Sequence, residues 1–362
     1  MSRSRKFGIG LCALRLLMAA LLSWACLEHW PSLSANAELD ALADYDPLAG
    51  AETERAAGHF SEALMIIDAG LETSDAEQRP ALLAAQTQII AERDAVLRRL
   101  TEAGRGALTG QGDSTEALTG AVVADLLVIG DVRDLLIQGA KALRGEDSDE
   151  VIVALSALGL ATTIAPGADA GVALMKFARR AGALSETFAK TLLRLGRRAF
   201  ETGKTDELLA VAGDVSRLSE RARPAAALRI LRPIDDPQML NRVANLAERP
   251  GGTLALWLNP ARSTAWLKAS SEAGDSVGER WLLKAARKGE AGIEFLGRRG
   301  GDLLRPHPLL GLIKAFWSGH LPALLTNLLD EQAALLTGAV LAWLLFECLR
   351  LGWLLRRPAQ ET

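Results

Sequence analysis

Residues 60–71 read FSEALMIIDAGL, and this stretch decides the fold class. Phe60, Ala63, Leu64, Ile67 and Leu71 recur at intervals of three and four residues, which places them on one face of an α-helix. Ala and Leu supply most of the apolar residues elsewhere, and both lose little rotamer freedom in a helix. No run of alternating β-branched and aromatic residues predicts a strand. The sequence therefore predicts an all-α protein.

The residues after this stretch predict a partner helix. They contain two apolar lines with a period of seven, one of Leu82, Ile89 and Val96 and the other of Leu83, Ile90 and Leu97. This pattern favours an antiparallel hairpin that turns near Arg79-Pro80. Capping and breaking residues mark further helix ends at Asp113 with Glu116, Gly182, Gly203, Asp236-Pro237 and Pro250-Gly251-Gly252. The short loops suit a helical bundle or a short α-solenoid of helix pairs.

Two segments resemble a known family of helical repeats. Gly58-His-Phe60-Ser-Glu-Ala63, followed by Ile67 and Gly70-Leu71, resembles the second helix of a tetratricopeptide repeat. The stretch 281–297, which begins Trp281-Leu-Leu-Lys284, is similar to shorter repeats related to that family. The first segment covers less than one repeat. The resemblance implies stacked helix pairs, and such arrays offer concave surfaces for binding proteins.

Charge and cysteine content exclude several classes of protein. The chain has 41 basic and 44 acidic residues and a formal net charge of −3, so no global field favours nucleic acid as a partner. Its three cysteines, Cys12, Cys26 and Cys348, all lie in terminal hydrophobic segments. We therefore expect no disulfide framework and no cysteine-bound metal between Cys26 and Cys348.

The N-terminal segment predicts export. The basic residues of RSRK at 3–6 precede an apolar run from Phe7 to Leu27, which only Arg15 interrupts. Such a segment is typical of a signal peptide or of an uncleaved signal anchor. Ala35-Asn36-Ala37 offers a cleavage site but lies well past Leu27, so the anchor is favoured and cleavage stays open.

The C-terminal segment predicts a second membrane helix. Ala333 to Leu355 is long enough to span a bilayer with some tilt. Glu347 and Arg350 interrupt it on one helical face, where they can pair or reach the membrane interface together. In each terminal segment, basic residues flank the end that is nearer the chain terminus. Acidic residues flank the end that is nearer the middle of the chain. The positive-inside rule therefore predicts two cytoplasmic termini and an exported helical body, which in a prokaryote places the chain in the inner membrane.

Tryptophan placement agrees with this topology. Trp24, Trp30, Trp343 and Trp353 lie near the ends of the terminal segments, where amphipathic rings suit a membrane interface. The other four are expected to be packing residues, namely Trp257, Trp266, Trp281 and Trp317.

A third apolar run, from Val151 to Ala168, carries no charge but is broken by Pro166 after Ala165, and a hairpin through it would extend to Met175. Fifteen helical residues reach only about 22 Å, short of the ~30 Å hydrocarbon core. A buried core helix is favoured, with a re-entrant hairpin turning at Pro166-Gly167 as the alternative.

These patterns divide the chain into five expected segments. They are a signal anchor or signal peptide over 1–37, an N-terminal helical hairpin over 38–110, Ala/Gly-rich apolar helices over 111–185, a repeat-like helical region over 186–330, and a transmembrane helix with a short basic tail over 331–362.

Gly274-Asp-Ser276-Val-Gly278 is the strongest catalytic pattern. It matches the G-x-S-x-G nucleophile elbow, and Asp302 and His307 follow in hydrolase order. The elbow requires a strand before the serine, whereas Leu267 to Ala273 reads as a polar helix end. A loop that caps the helix of Trp281 is favoured, and we expect no catalytic residue.

Cofactor and metal patterns are weaker. Gly203-Lys204-Thr205 resembles the end of a phosphate-binding loop, but Arg198 stands where that loop requires glycine. Gly203 is better explained as a helix C-cap and Thr205 as the next N-cap. The four histidines, His29, His59, His307 and His320, lack the spacing of metal ligands. We expect neither a cofactor nor a metal.

Two charged clusters leave alternatives open. Asp125, Asp131, Arg133 and Asp134 punctuate the apolar stretch Ala121 to Ile137. A solvated turn at Gly130 is favoured there, and a membrane-embedded ion or proton site is the alternative. The second cluster is basic and consists of Lys176, Arg179, Arg180, Lys190, Arg194, Arg197 and Arg198. A solvated helix face is favoured for it, and a contact with anionic lipid or an acidic protein is the alternative.

These observations favour a membrane-anchored helical interaction or scaffold protein that is not an enzyme. Its expected partners are membrane lipid and another protein, and its oligomeric state is not predicted. A membrane-active or ion-conducting protein is the alternative, and a hydrolase using Ser276 is third.

Overall fold

The computed structural model describes residues 3–28, 30–105, 168–203, 205–305 and 333–356. These residues form fifteen α-helices and one 3-10 turn and contain no strand, so the all-α prediction is confirmed for them. The chain divides into two compact units. Unit 1 comprises Met1–Leu42 with Arg298–Thr362, and unit 2 comprises Ala43–Gly297.

Unit 1 contains α1 (Arg3–Glu28), α2 (Trp30–Asp40) and α15 (Ala333–Arg356). Unit 2 contains α3 (Pro47–Ala56), α4 (Phe60–Thr73), α5 (Arg79–Arg105), α6 (Ala168–Arg180), α7 (Glu186–Thr202), α8 (Asp206–Ala222), α9 (Pro224–Leu231), α10 (Pro237–Ala247), α11 (Gly252–Trp257), α12 (Pro260–Ala269), the 3-10 turn Ser271–Ala273 and α13 (Asp275–Ala286). The last helix before the C-terminal segment, α14 (Gly289–Leu303), begins in unit 2 and ends in unit 1.

Local signals place several helix ends where the sequence predicts them. Asp236 accepts a hydrogen bond from the Met239 backbone N–H at 2.7 Å and so caps α10. Gly203 ends α7 in the left-handed conformation, with a φ of 70°. Gly182 and Gly251 follow other helix ends with positive φ. Asp113 and Glu116 lie outside the described residues.

Helix α4 lies at the centre of unit 2. Every residue from Phe60 to Ile67 is buried, and the helix contacts α3, α5, α8, α9 and α11. A helix that is apolar on all sides requires partners on all sides. In a solenoid each helix pair contacts only its neighbours in sequence, whereas α9 and α11 follow α4 much later in the chain. The described contacts of α4 are therefore typical of a bundle.

Helix α5 packs on α4 as the hairpin prediction requires, but through one apolar line. Leu82 and Ile89 are buried, whereas Leu83 is 47% exposed and Ile90 is also exposed. Adjacent helix positions differ by about 100° in direction, so only the first line faces α4. Leu83 and Ile90, of the second line, therefore lie on the exposed side of α5.

The connection between α8 and α9 passes through Arg223, whose φ of 66° is rare for a residue other than glycine. Its guanidinium donates to Asp68 Oδ2 from Nη2 at 2.8 Å and from Nε at 3.3 Å. Asp68 Oδ1 accepts a further hydrogen bond from Gln86 at 2.7 Å. These contacts tie the strained junction to α4 and α5.

The predicted membrane segments receive no support from the fold itself. Among the residues that the structure describes, no helix combines the length and the apolar character needed to cross a membrane. The stretch Ala121 to Ile137 and residues 151–167 lie outside the described residues. Met175, at the end of the alternative re-entrant hairpin, is fully buried in α6. Trp257 and Trp266 are buried as predicted, and Trp317 lies outside the described residues.

Candidate functional site

The helices of unit 1 carry a concentrated apolar surface. Among the described residues, sixteen large hydrophobic side chains are exposed, and fourteen of them lie on α1, α2 and α15. These fourteen form the apolar surface of unit 1: Leu11, Leu14, Leu17, Met18, Leu21, Trp24, Leu27, Trp30, Leu335, Leu341, Leu345, Phe346, Leu349 and Trp353. A contiguous apolar surface marks contact with another molecule or with lipid.

The buried side of the same helices is small and polar. Helices α1 and α15 pack against each other. The buried residues of this pair include Cys12, Ala19, Ser23, Thr337 and Glu347. A helix pair in water buries its large apolar residues and exposes its polar ones. The α1–α15 pair reverses this distribution.

Glu347 occupies the interior of the pair and is only 2% exposed. One carboxylate oxygen lies 3.9 Å from Arg15 Nη1, 3.7 Å from Arg350 Nη1 and 3.4 Å from Trp343 Nε1, and the other accepts from the Cys12 thiol at 3.6 Å. The predicted pairing of Glu347 with Arg350 is confirmed. Because the carboxylate has partners on both helices, its chemical role is to join α1 to α15.

Helix α2 is fixed within unit 1 by Arg299. The guanidinium donates to the carboxylate of Glu38, to Ser34 Oγ at 3.0 Å and to the Pro31 carbonyl at 3.4 Å. Ala35 and Leu39 are fully buried. The possible cleavage motif Ala35-Asn36-Ala37 therefore lies inside an ordered helix.

An acid and histidine cluster lies at the start of α4 in unit 2. The His59 ring lies 2.7 Å from the Glu54 carboxylate through Nδ1. Glu62 is 9% exposed, and its burial raises the pKa of that carboxyl above the usual range. Its Oε2 has no hydrogen-bond partner among the described residues. Burial and the nearby carboxylates also raise the pKa of Tyr45 to about 12.

Sequence reasoning did not identify this cluster. The sequence signal for the cluster is Glu62, an acid within the largely apolar stretch at 60–67. A charge on a buried helix is removed from water, which is costly. Of the four histidines, His59 alone lies among the residues that the structure describes. No group of three potential metal ligands occurs in the described parts of the chain.

No protein-family model, curated protein or solved structure matches the chain. The resemblance to tetratricopeptide repeats at 58–71 and 281–297 therefore stays a resemblance.

The G-x-S-x-G pattern lies at a helix start. Gly274 has a φ of 103° and precedes α13, and Ser276 lies in the first turn of that helix. The element before it is a 3-10 turn that follows α12. Gly278 is explained by packing, because its carbonyl accepts from Trp266 Nε1 at 2.7 Å and Ser270 leaves no space for a side chain there. The strand that a nucleophile elbow needs is replaced by helix.

The structure does not bring the other residues of the predicted motifs together with Ser276. Asp302 belongs to unit 1 and Ser276 to unit 2. His307, Lys204, His320 and the cluster Asp125 to Asp134 lie outside the described residues. Thr205 occupies the N-cap position of α8, with Asp206 in the first turn, but the Thr205 side chain makes no capping hydrogen bond.

Proposed function

We propose that the chain is a membrane-anchored helical interaction protein, held in lipid by the α1–α15 pair and binding another protein through unit 2. The observation that carries the anchor is the apolar surface of unit 1 with its small, polar interior. Covering one large apolar side chain stabilises by roughly 1.5–3 kcal/mol, so fourteen of them strongly favour an apolar environment. The proposal rests on this surface and not on the hydropathy of either helix alone.

The interior of the pair suits the same environment. Helices associate in lipid through small residues that allow close approach and through polar side chains that bond across the interface. Ala19 and Ser23 provide the former, and Glu347 provides the latter. Arg15 and Arg350 lie beside Glu347, so the acid buried between the two helices has basic partners, as an ionisable group within lipid requires.

The same contacts support an N-terminal segment that remains in the mature protein. Cleavage after Ala37 would remove Cys12 and Arg15 and leave the buried Glu347 without its partners on α1. We therefore favour a signal anchor over a cleaved signal peptide.

The interaction role is proposed for unit 2 because both of its ends join the anchoring unit, so α1 and α15 keep it at a membrane. The hydrolase alternative is weakened because Ser276 lies on a helix. The membrane-active alternative depends on residues 121–137 and 151–167, which lie outside the described residues, and it stays a prediction.

Extraction of membranes at alkaline pH, followed by flotation, tests the anchor. The full chain is expected to float with lipid and to retain an epitope placed before Arg3. Leu17→Asp together with Leu345→Asp should release it, since an acid at the centre of a bilayer costs about 2.5–3.5 kcal/mol. Leu83→Asp, at an exposed leucine of unit 2, is the matched control and should leave flotation unchanged. The anchor would be contradicted if the mature chain lost the epitope. It would also be contradicted if the double variant still floated with lipid.

Crosslinking in intact cells tests the interaction role. A specific protein should be captured through cysteines introduced on unit 2, and capture should survive Ser276→Ala. A purified chain that captures no protein but permeabilises lipid vesicles would favour the membrane-active alternative.

A further inference from the structure

Helix α7 presents a basic face whose direction is fixed by the core. Phe188, Ala189 and Leu192 are buried on one side of the helix. The opposite side carries the basic face of α7, which consists of the exposed residues Lys190, Arg194, Arg197 and Arg198. Their spacing of four, seven and eight residues from Lys190 aligns them along the helix. The buried side prevents the helix from turning this face inward.

The acids near this face offset only part of its charge. Helix α7 contains Glu186 and Glu201 against four basic residues, although the whole chain is acidic overall. Arg198 lies 3.2 Å from Glu207, but both side chains are more than 60% exposed, so water screens the pair. Arg194 donates to Thr191 on its own helix at 3.1 Å. The basic residues line one shallow, open depression with Leu193 and Glu201.

We propose that the basic face of α7 docks on the anionic headgroups of the membrane that holds the α1–α15 pair, an inference that rests on the proposed anchor. Guanidinium groups match phosphate oxygens in a bidentate geometry. The 17 residues of α7 form a rigid platform of about 25 Å, which is long enough to contact several headgroups. At a leaflet as anionic as a typical cytoplasmic one, this attraction is worth roughly a five-fold gain in affinity per basic residue.

Lipid is favoured over an acidic protein because the anchor tethers α7 to its own membrane. A tethered site meets its ligand at a high effective concentration, so contacts that are individually weak become populated. An acidic protein in solution lacks that advantage and would compete with salt at the same exposed side chains.

The test uses the full chain in nanodiscs of phosphatidylcholine, alone or mixed with phosphatidylglycerol. Nanodiscs leave both membrane faces open, so insertion orientation does not affect access. The three native cysteines are replaced by serine, Thr187→Cys is labelled with a fluorophore, and quenching by acrylamide is measured. Thr187 is exposed and lies in line with Lys190, Arg194 and Arg198 on α7. Quenching is expected to fall in anionic discs and to recover at high salt.

Variants separate docking from other effects. Arg194→Glu, and the milder Arg194→Gln should the first fail to fold, are expected to restore quenching in anionic discs. Arg232→Glu makes the same charge change at an exposed residue outside α7 and should leave the protection intact. Equal quenching in both disc types, with the chain inserted, would overturn the docking and leave the anchor standing. Protection by soluble polyglutamate but not by anionic lipid would overturn it in favour of an acidic protein. Failure to enter neutral discs would overturn the anchor itself, and the docking with it.

Discussion

Helices α6 and α8 approach each other at Gly171, where an added methyl group has no space. Such a group would overlap the carbonyl oxygen of Ala212 and lie 3.0 Å from Ser216 Oγ. The Ser216 hydroxyl accepts a buried hydrogen bond from the Gly171 N–H at 2.8 Å. Gly171→Ala therefore requires the two helices to separate and breaks this bond.

The expected cost follows from these contacts. Overpacking costs about 1–3 kcal/mol, and losing the buried hydrogen bond costs about 1 kcal/mol more. The higher helix propensity of alanine offsets up to about 1 kcal/mol. The net loss is therefore about 1–4 kcal/mol, and each kcal/mol lowers the melting temperature of a unit of this size by about 2–4 °C.

Thermal unfolding of the purified full chain, followed by circular dichroism, measures this loss. Gly213→Ala is the matched control, because its added methyl group meets nothing within 4 Å and alanine should raise stability slightly. Ala212→Gly should not rescue Gly171→Ala, since the overlap is with backbone. An unchanged or raised melting temperature for Gly171→Ala, or rescue by Ala212→Gly, would refute the reasoning.

Three further predictions concern single side chains. Because burial raises the pKa of Glu62, ionisation of this carboxyl destabilises the fold as the pH rises above the usual carboxyl range. Glu62→Gln should therefore raise the melting temperature at neutral pH. The gain should vanish below about pH 4, where glutamate is protonated in both the folded and the unfolded chain. Tyr45 is the sole tyrosine of the chain, so ultraviolet titration reports on it alone. At pH 11 its phenol should be protonated in the folded protein and ionised in the denatured protein. Ionisation near pH 10 in both the folded and the denatured protein would contradict the burial of Tyr45. Asp236→Ala should cost about 1 kcal/mol by removing the cap of α10, whereas Thr205→Ala should cost less because the Thr205 side chain makes no capping bond; equal losses would disprove the capping role.

The sequence predicts the helices well where the signal is local. Asp236 and Gly203 lie at helix ends because capping depends on neighbouring backbone groups. Periodicity identifies α5 as a helix, but it cannot decide between the lines of Leu82 and Leu83, because the position of α4 makes that choice. The packing around α4 depends on helices far away in sequence, so local patterns favour a bundle and a solenoid equally.

The candidate site also combines contacts that the sequence predicts with contacts that it does not. Placing Glu347 and Arg350 on one helical face requires only the helical repeat. The pairing of Glu347 with Cys12 joins residues that are 335 positions apart, and no local pattern contains that information. Glu62 was missed because periodicity treats the surrounding residues as one apolar helix and gives an isolated acid no weight.

The central position of α4 also matters while the protein is being synthesised. Leu64, Met65, Ile66 and Ile67 are completely buried, yet three helices that contact α4, namely α8, α9 and α11, are encoded much later. At about 5–20 residues per second, the ribosome takes roughly 10–40 s to proceed from α4 to the end of α11. During that interval the nascent chain displays four consecutive large apolar residues, to which a chaperone can bind and through which nascent chains can aggregate. Synonymous codons that slow translation between α5 and α11 should therefore lower the yield of folded protein without changing one amino acid.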